Sequence, residues 1–164
     1  MNIENVTKDI FLWATNVYNE LGSGFNETVL QSALAIEFRE NKIKYLREPH
    51  IEIFYKEHVL GLDRPDFVLL TPTKKLWNMQ YPIIVETKVS MKLSNENRQQ
   101  LKSYLRSFPR NKNSSLQKTS GGILLNFLKT EEFGEQINGN EKIELEFWDY
   151  KHRTDSVRLA YSLP

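Results

Sequence analysis

Three side chains in the middle of the chain have the types and spacing for hydrolytic chemistry: Asp66, Glu86 and Lys88. Glu86 and Lys88 sit two positions apart inside residues 82–89, a run that is otherwise apolar and β-prone. Residues i and i+2 of a strand share a face, so a carboxylate and an ammonium are held side by side. Asp66 enters a second apolar run, residues 67–70. Acids are depleted in strands and are rarely buried without a partner. A cross-strand salt bridge accounts for the lysine with one acid, whereas a divalent metal accounts for both acids. Mg2+ takes hard oxygen ligands and keeps several waters; it is the expected cofactor, with Mn2+ able to substitute. On this reading Asp66 and Glu86 are the metal carboxylates, and the backbone carbonyl of Thr87 adds a third oxygen. Lys88 would position or help deprotonate an attacking water and offset phosphate charge. Asp63 is the competing acid. It lies three positions before Asp66, so a regular strand sends the two to opposite faces, with Asp63 at a hairpin end.

These residues need elements to position them. Val6, Ile10, Trp13, Ala14, Val17 and Leu21 recur at helical spacing, and Gly22 follows as a C′ residue. Gly22-Ser23-Gly24 leads into a second helix over about residues 26–41, whose apolar stripe is Leu30, Ala33, Leu34 and Phe38. Glu27 falls in its first turn, where an acid is ordinarily a dipole-favourable residue. Residues 51–55 and 58–62 read as a hairpin around Lys56-Glu57, and residues 64–70 continue as strand. Residues 71–81 read as a polar connection into the central strand, residues 82–89. Ser94 caps a helix running to about Ser107, with Glu96 in its first turn. Residues 108–120 form a basic polar loop where disorder is expected. Residues 121–127 read as a buried strand, and Ile143, Leu145 and Phe147 alternate with acids in a late, half-exposed strand. The order α-α-β-β-β-β-α-β, with a further strand, implies an α/β fold: a central mixed sheet covered on both faces.

Within the helix after the central strand, Leu101, Tyr104, Leu105 and Phe108 define the buried face at about 100° per residue. Gln100 lies at the edge of that face, beside Tyr104, and can reach a site at the sheet; otherwise it is a boundary amide bonded to backbone. Gln99 points away, with Arg98, Lys102 and Arg106. Residues 97–130 hold no Asp or Glu but carry Arg98, Lys102, Arg106, Arg110, Lys112, Lys118 and Lys129. A solvated basic face is one reading. Phosphate-backbone binding is the other, and it makes Arg98, Lys102, Arg106, Arg110, Lys112 and Lys118, with Tyr104, the expected nucleic-acid contacts. The rest of the chain is correspondingly acidic, especially residues 131–146.

The bulk numbers narrow the classes. A length of 164 residues suits one domain. Hydrophobic content of 40% and charged content of 26% suit an ordinary soluble globular protein. Nothing approaches the roughly 20 consecutive apolar residues of a membrane span, and no secretory signal opens the chain. With no cysteine, thiolate metal sites and cysteine nucleophiles are excluded, and an intracellular location, cytoplasmic or nucleoid-associated, is expected. His50, His58 and His152 are scattered and read as surface or loop residues. The net charge of +1 argues neither for nor against nucleic acid.

Arg64-Pro65-Asp66 with Glu86-Thr87-Lys88 resembles the PD-(D/E)xK signature of restriction-endonuclease-like nucleases. Gly24-Phe-Asn-Glu27-Thr-Val-Leu30, Gly61-Leu-Asp-Arg64-Pro-Asp66, Gln100-Leu-Lys-Ser-Tyr104-Leu105 and Gly122-Ile-Leu-Leu-Asn126-Phe127, in that order, are similar to the GxxExxY family of that superfamily. The resemblance covers about residues 5–137. It implies a three-layer α/β/α sandwich, with Asp66, Glu86 and Lys88 as the catalytic core, Glu27 as a helical acid facing the metal, and Gln100 as an auxiliary residue. Leu30 stands where the motif has tyrosine, the connection over residues 71–81 is longer than expected, and residues 138–164 look like an extension with an added strand. The reading is a single-domain, Mg2+-dependent nuclease acting on DNA, with a homodimer among the expectations because cutting two strands calls for two sites. The alternative is a catalytically silent nuclease-fold protein serving nucleic-acid binding or complex assembly.

Overall fold

The computed structural model describes residues 1–129 and 142–164. Helix α1 (Ile3–Leu21) begins where the Asn2 side chain accepts a hydrogen bond from the Asn5 N–H, and it ends at Gly22, whose φ of 76° lies in the left-handed region. Helix α2 (Glu27–Glu40) is capped in the same way by Asn26, which accepts from the Val29 N–H. Strand β1 (Tyr45–Arg47), the hairpin strands β2 (Ile51–Tyr55) and β3 (His58–Asp63), and β4 (Phe67–Leu69) follow. Then come β5 (Ile83–Ser90), α3 (Asn95–Ser107), β6 (Gly121–Leu128), β7 (Ile143–Lys151) and β8 (Ser156–Leu163).

Six strands form one mixed sheet in the order β1-β4-β5-β6-β7-β8, while β2 and β3 pair separately. Only β5 and β6 are parallel within the large sheet, as their connection through α3 requires. Side-chain alternation sorts the core into two layers. Phe67, Leu69, Ile83, Val85, Ile123, Leu125 and Phe127 meet α1 and α2 on one face. Val68, Ile84 and Leu124 meet Leu101, Tyr104, Leu105 and Phe108 on the other. The central strands are buried on both faces, which is why they read as unbroken apolar runs. The result is the three-layer α/β/α arrangement that the sequence predicts.

Several local expectations are corrected. Regular strand β4 is shorter than residues 64–70, because Pro65 has no N–H for a ladder. Strands β1 and β8 were not foreseen. The connection over residues 71–81 is not simply polar: it holds a 3-10 turn, Lys75–Trp77, and Trp77 is fully buried. Its indole N–H and the Lys74 ammonium both donate to Asp9 Oδ2 at 2.8 Å, clipping the connection to α1. Residues 108–120, expected to be disordered, are packed through Leu116, Asn111 and Thr119, all buried. Strand β7 is mostly buried rather than half-exposed, because β8 pairs along one edge and α3 reaches it from the sheet face. The acid-rich run expected from residue 131 begins outside the described residues.

Candidate active site

The register of β4 against β5 sets Phe67 opposite Val85, which brings Asp66, one residue earlier, beside Glu86. The Asp66 N–H donates to Glu86 Oε2 at 3.2 Å. Lys88, two residues along β5, donates from Nζ to Glu86 Oε1 at 2.8 Å. One carboxylate therefore takes a backbone donor on one oxygen and an ammonium on the other. Glu86 is only 2% exposed. Burial, reinforced by the Asp66 charge, pushes it up to about 7, while Lys88 pulls it the other way.

Asp66 is held from its other side. Its Oδ2 accepts from both the Thr87 N–H and the Thr87 hydroxyl, each at 2.7 Å. Its own carbonyl accepts from the Glu48 N–H at 2.8 Å, just past the end of β1. The short β1 strand thus steadies the acid. Thr87 points to the α2 side of β5, where the buried Gln31 amide donates to its hydroxyl at 2.9 Å and to Glu27 Oε1 at 3.3 Å. Burial raises the Glu27 carboxyl above its ordinary value; Lys88 lowers it and Asp66 raises it further. Burial opposes the Lys88 charge, but Glu86, Glu27 and Asp66 outweigh that and raise the ammonium. Glu27 is thus an electrostatic neighbour of Asp66 and Lys88, and its one hydrogen bond toward them runs through Gln31.

Gln100 sits at the edge of the α3 face, with Gln99 exposed, as helical phase requires. Its amide donates to the Tyr104 hydroxyl at 2.8 Å rather than to any of the four. That hydroxyl approaches Asp63 Oδ1 and the Arg64 carbonyl, both at 3.4 Å. Asp63 closes β3 at the hairpin end and faces Tyr104. Past Lys88, the buried Asn126 on β6 accepts from the Ser90 N–H at 3.0 Å and fixes the end of β5.

Residues expected to contact nucleic acid are distributed differently. Arg98 is engaged inside the fold, with Nη2 at 2.6 Å and Nε at 3.0 Å from the Glu146 carboxylate. Tyr104 is 2% exposed and turned to Asp63. Lys102 lies over the Trp148 ring and Arg110 over Phe54. Arg106 pairs with Asp155, Lys112 with Glu52, and Lys118 lies over Tyr81. The tract is acid-free in sequence, but several of its cations meet acids supplied from elsewhere.

The donor chemistry fits a hard divalent cation. Asp66 and Glu86 are adjacent carboxylates, and each is partly bound by N–H donors that fix its orientation. Ionised, Glu27, Asp66 and Glu86 against one lysine leave a local charge of −2, which a divalent ion balances. Among the described residues no three acidic or imidazole groups cluster tightly enough to hold a metal by themselves. Gln31 was missed in the sequence because it interrupts the apolar stripe of α2; its place one turn after Glu27 was the available signal. The Thr87 side chain was missed because only its carbonyl was considered.

No curated protein and no solved structure matches the chain. Residues 4–137 match the family model of the PD-(D/E)XK nuclease superfamily, and with that match and its restriction-endonuclease-like α/β sheet the chain belongs to that superfamily.

Proposed function

We propose that this protein is a Mg2+-dependent nuclease of the GxxExxY kind that hydrolyses phosphodiester bonds of DNA. The observation that carries the reading is the buried Glu86 carboxylate, bridged on one oxygen by the Lys88 ammonium and on the other by the Asp66 N–H. Asp66 and Glu86 would hold the cation, with the Thr87 carbonyl and Glu27 beside it. When bound, the ion polarises a phosphoryl oxygen and makes water a nucleophile near neutral pH. Lys88, near the C-terminal end of β5, orients the attacking water and offsets charge building on the phosphate. Glu27, half-buried and with its carboxyl raised, receives a proton from that water more readily than an ordinary solvated carboxylate. Gln100, through Tyr104, steadies the segment that leads into Asp66. Lys102, Arg106, Arg110, Lys112 and Lys118 supply backbone-phosphate contacts where their pairs open to solvent. The reading carries an intracellular location, and a pair of copies where both strands are cut.

Purified protein with Mg2+ or Mn2+ is expected to cleave DNA, and Lys88→Ala to abolish cleavage. Equal cleavage by wild type and Lys88→Ala would sink the proposal, since the activity would then belong to a contaminant. A non-cleaving role in binding or assembly is the second reading, because a fold does not fix a function. Mn2+ binding by calorimetry without cleavage of any DNA or RNA substrate would select that second reading.

A further inference from the structure

We infer that Gln31 is a positioning residue which, through the Thr87 hydroxyl, determines which oxygen of Asp66 is presented to the cation. The inference rests on the metal-dependent reading above and concerns how this chain prepares that site. Gln31 is 8% exposed, so its amide has little water to turn to. Its Nε2 donates to Glu27 Oε1 at 3.3 Å and to Thr87 Oγ1 at 2.9 Å. The flipped amide is excluded by the same contact, because it would set a carbonyl oxygen against the Glu27 carboxylate.

This fixes the direction of the next bond. A hydroxyl has one hydrogen. With the Gln31 N–H pointing at Thr87 Oγ1, that hydrogen is directed to Asp66 Oδ2, 2.7 Å away. The Thr87 N–H reaches the same oxygen at 2.7 Å. Oδ2 thereby receives two short donors from one residue, while Oδ1 takes none among the described residues. The unengaged Oδ1 is the stronger remaining ligand for a cation, and the doubly bonded Oδ2 serves as the anchor that stops the carboxylate rotating. Partners of this kind around metal ligands tune affinity by about 10- to 100-fold.

Glutamine is suited to this position where glutamate is not. A carboxylate at 31 would accept the Thr87 hydrogen, turn the hydroxyl away from Asp66 and set two acids one helical turn apart. The relay also gives Glu27 a hydrogen-bonded link to Asp66 that does not pass through solvent.

The test is Mn2+ titration by calorimetry of wild type, Thr87→Val, Thr87→Ser, Gln31→Met and the Gln31→Met/Thr87→Val double variant, with urea unfolding of each in EDTA. Thr87→Val and Gln31→Met are each expected to weaken Mn2+ binding about tenfold. Thr87→Ser, which keeps the hydroxyl, should restore affinity to near wild type. The double variant should lose much less than the two single losses combined, because both act on the Thr87 hydrogen and only the Gln31 contact with Glu27 is separate. Wild-type affinity in Thr87→Val or Gln31→Met, or full additivity in the double variant, overturns the inference while leaving the nuclease reading standing. No Mn2+ binding by the wild type overturns both. Unfolding in EDTA separates a lost site from a lost fold, since Thr87→Val keeps the shape of threonine while removing the hydroxyl, and Thr87→Ser keeps the hydroxyl while removing a buried methyl.

Discussion

Arg98 of α3 grips Glu146 of β7 through Nη2 at 2.6 Å and Nε at 3.0 and 3.1 Å, and the Trp148 indole N–H adds a fourth contact to the same carboxylate at 2.9 Å. Glu146 is 7% exposed. The pair belts the helix that carries Gln100 and Tyr104 to a strand beyond the parallel β5/β6 centre. Removing the cation would leave a buried anion with only an indole partner. Arg98→Met is therefore expected to lower unfolding free energy by about 3 kcal/mol, while adding Glu146→Leu recovers most of that loss. Urea titrations of the single and double variants check it. A single variant that is as stable as wild type yet binds DNA poorly would instead make Arg98 a phosphate contact.

Glu86 should make the metal-free protein less stable as pH rises. Its folded value is about 7 against an ordinary 4.5, so between those limits the folded state holds a proton that the unfolded chain has lost. The favourable contribution is fully present below about 4.5 and is lost as pH climbs through 7. At about 1.4 kcal/mol per pH unit the loss amounts to roughly 3 kcal/mol. Glu86→Gln does not titrate, so in EDTA its stability relative to wild type should rise from pH 5 to pH 8. Mn2+ should offset the loss in wild type by binding the folded state alone. A stability difference between the two proteins that does not change with pH would refute this.

Much of this arrangement is legible in the residues themselves. Asn26, Asn41 and Ser94 bracket helices because their side chains or backbone satisfy terminal groups locally. Helical phase separates Gln100 from Gln99, because that periodicity is fixed by backbone geometry. Strand parity, by contrast, does not link Asp63 to Asp66, since residues 64–66 leave the strand and β3 and β4 lie in different sheets. What the sequence hides is long-range. Strand β1 has only three residues and exists because β4 pairs with it. Trp77 is buried by Asp9 and Trp13, which lie on α1. The basic tract reads as uncompensated because Glu52, Glu57, Glu146 and Asp155 reach it from remote strands and turns. Gln31 looks like a polar break in an apolar stripe until Thr87 is placed opposite it.

Tyr104 gives a way to separate support from chemistry around Gln100. Its hydroxyl takes the Gln100 amide at 2.8 Å and approaches Asp63 and the Arg64 carbonyl at 3.4 Å. Tyr104→Phe deletes the hydroxyl and keeps the ring packed, so a cost of about 1 kcal/mol in stability is expected. If Gln100 acts through Tyr104, Tyr104→Phe and Gln100→Ala should lower kcat by similar amounts, with no further fall in the double variant. A much larger loss for Gln100→Ala would give the amide a direct contact with the substrate.

The start of β6 holds two glycines whose replacement should differ sharply. A Cβ on Gly121 would sit 2.7 Å from the Trp148 carbonyl oxygen and 3.0 Å from the Phe147 ring, and the backbone oxygen cannot move without shifting β7. A Cβ on Gly122 would meet Leu101 Cδ1 at 2.7 Å and Ile84 Cβ at 3.3 Å. The leucine end can rotate, although the Ile84 contact remains tight. Overpacking of this kind costs about 1 to 3 kcal/mol. Gly121→Ala belongs at or above the top of that range and Gly122→Ala near its foot. The smaller defect has the greater reach into function, because Leu101 follows Gln100 on α3 and a displaced leucine tilts that turn of helix. Gly122→Ala is thus expected to retain most of its stability in urea while losing cleavage, and Gly121→Ala to lose stability first. The opposite order would mean that α3 tolerates the added methyl without moving and that its seat on β6 does not set the position of Gln100.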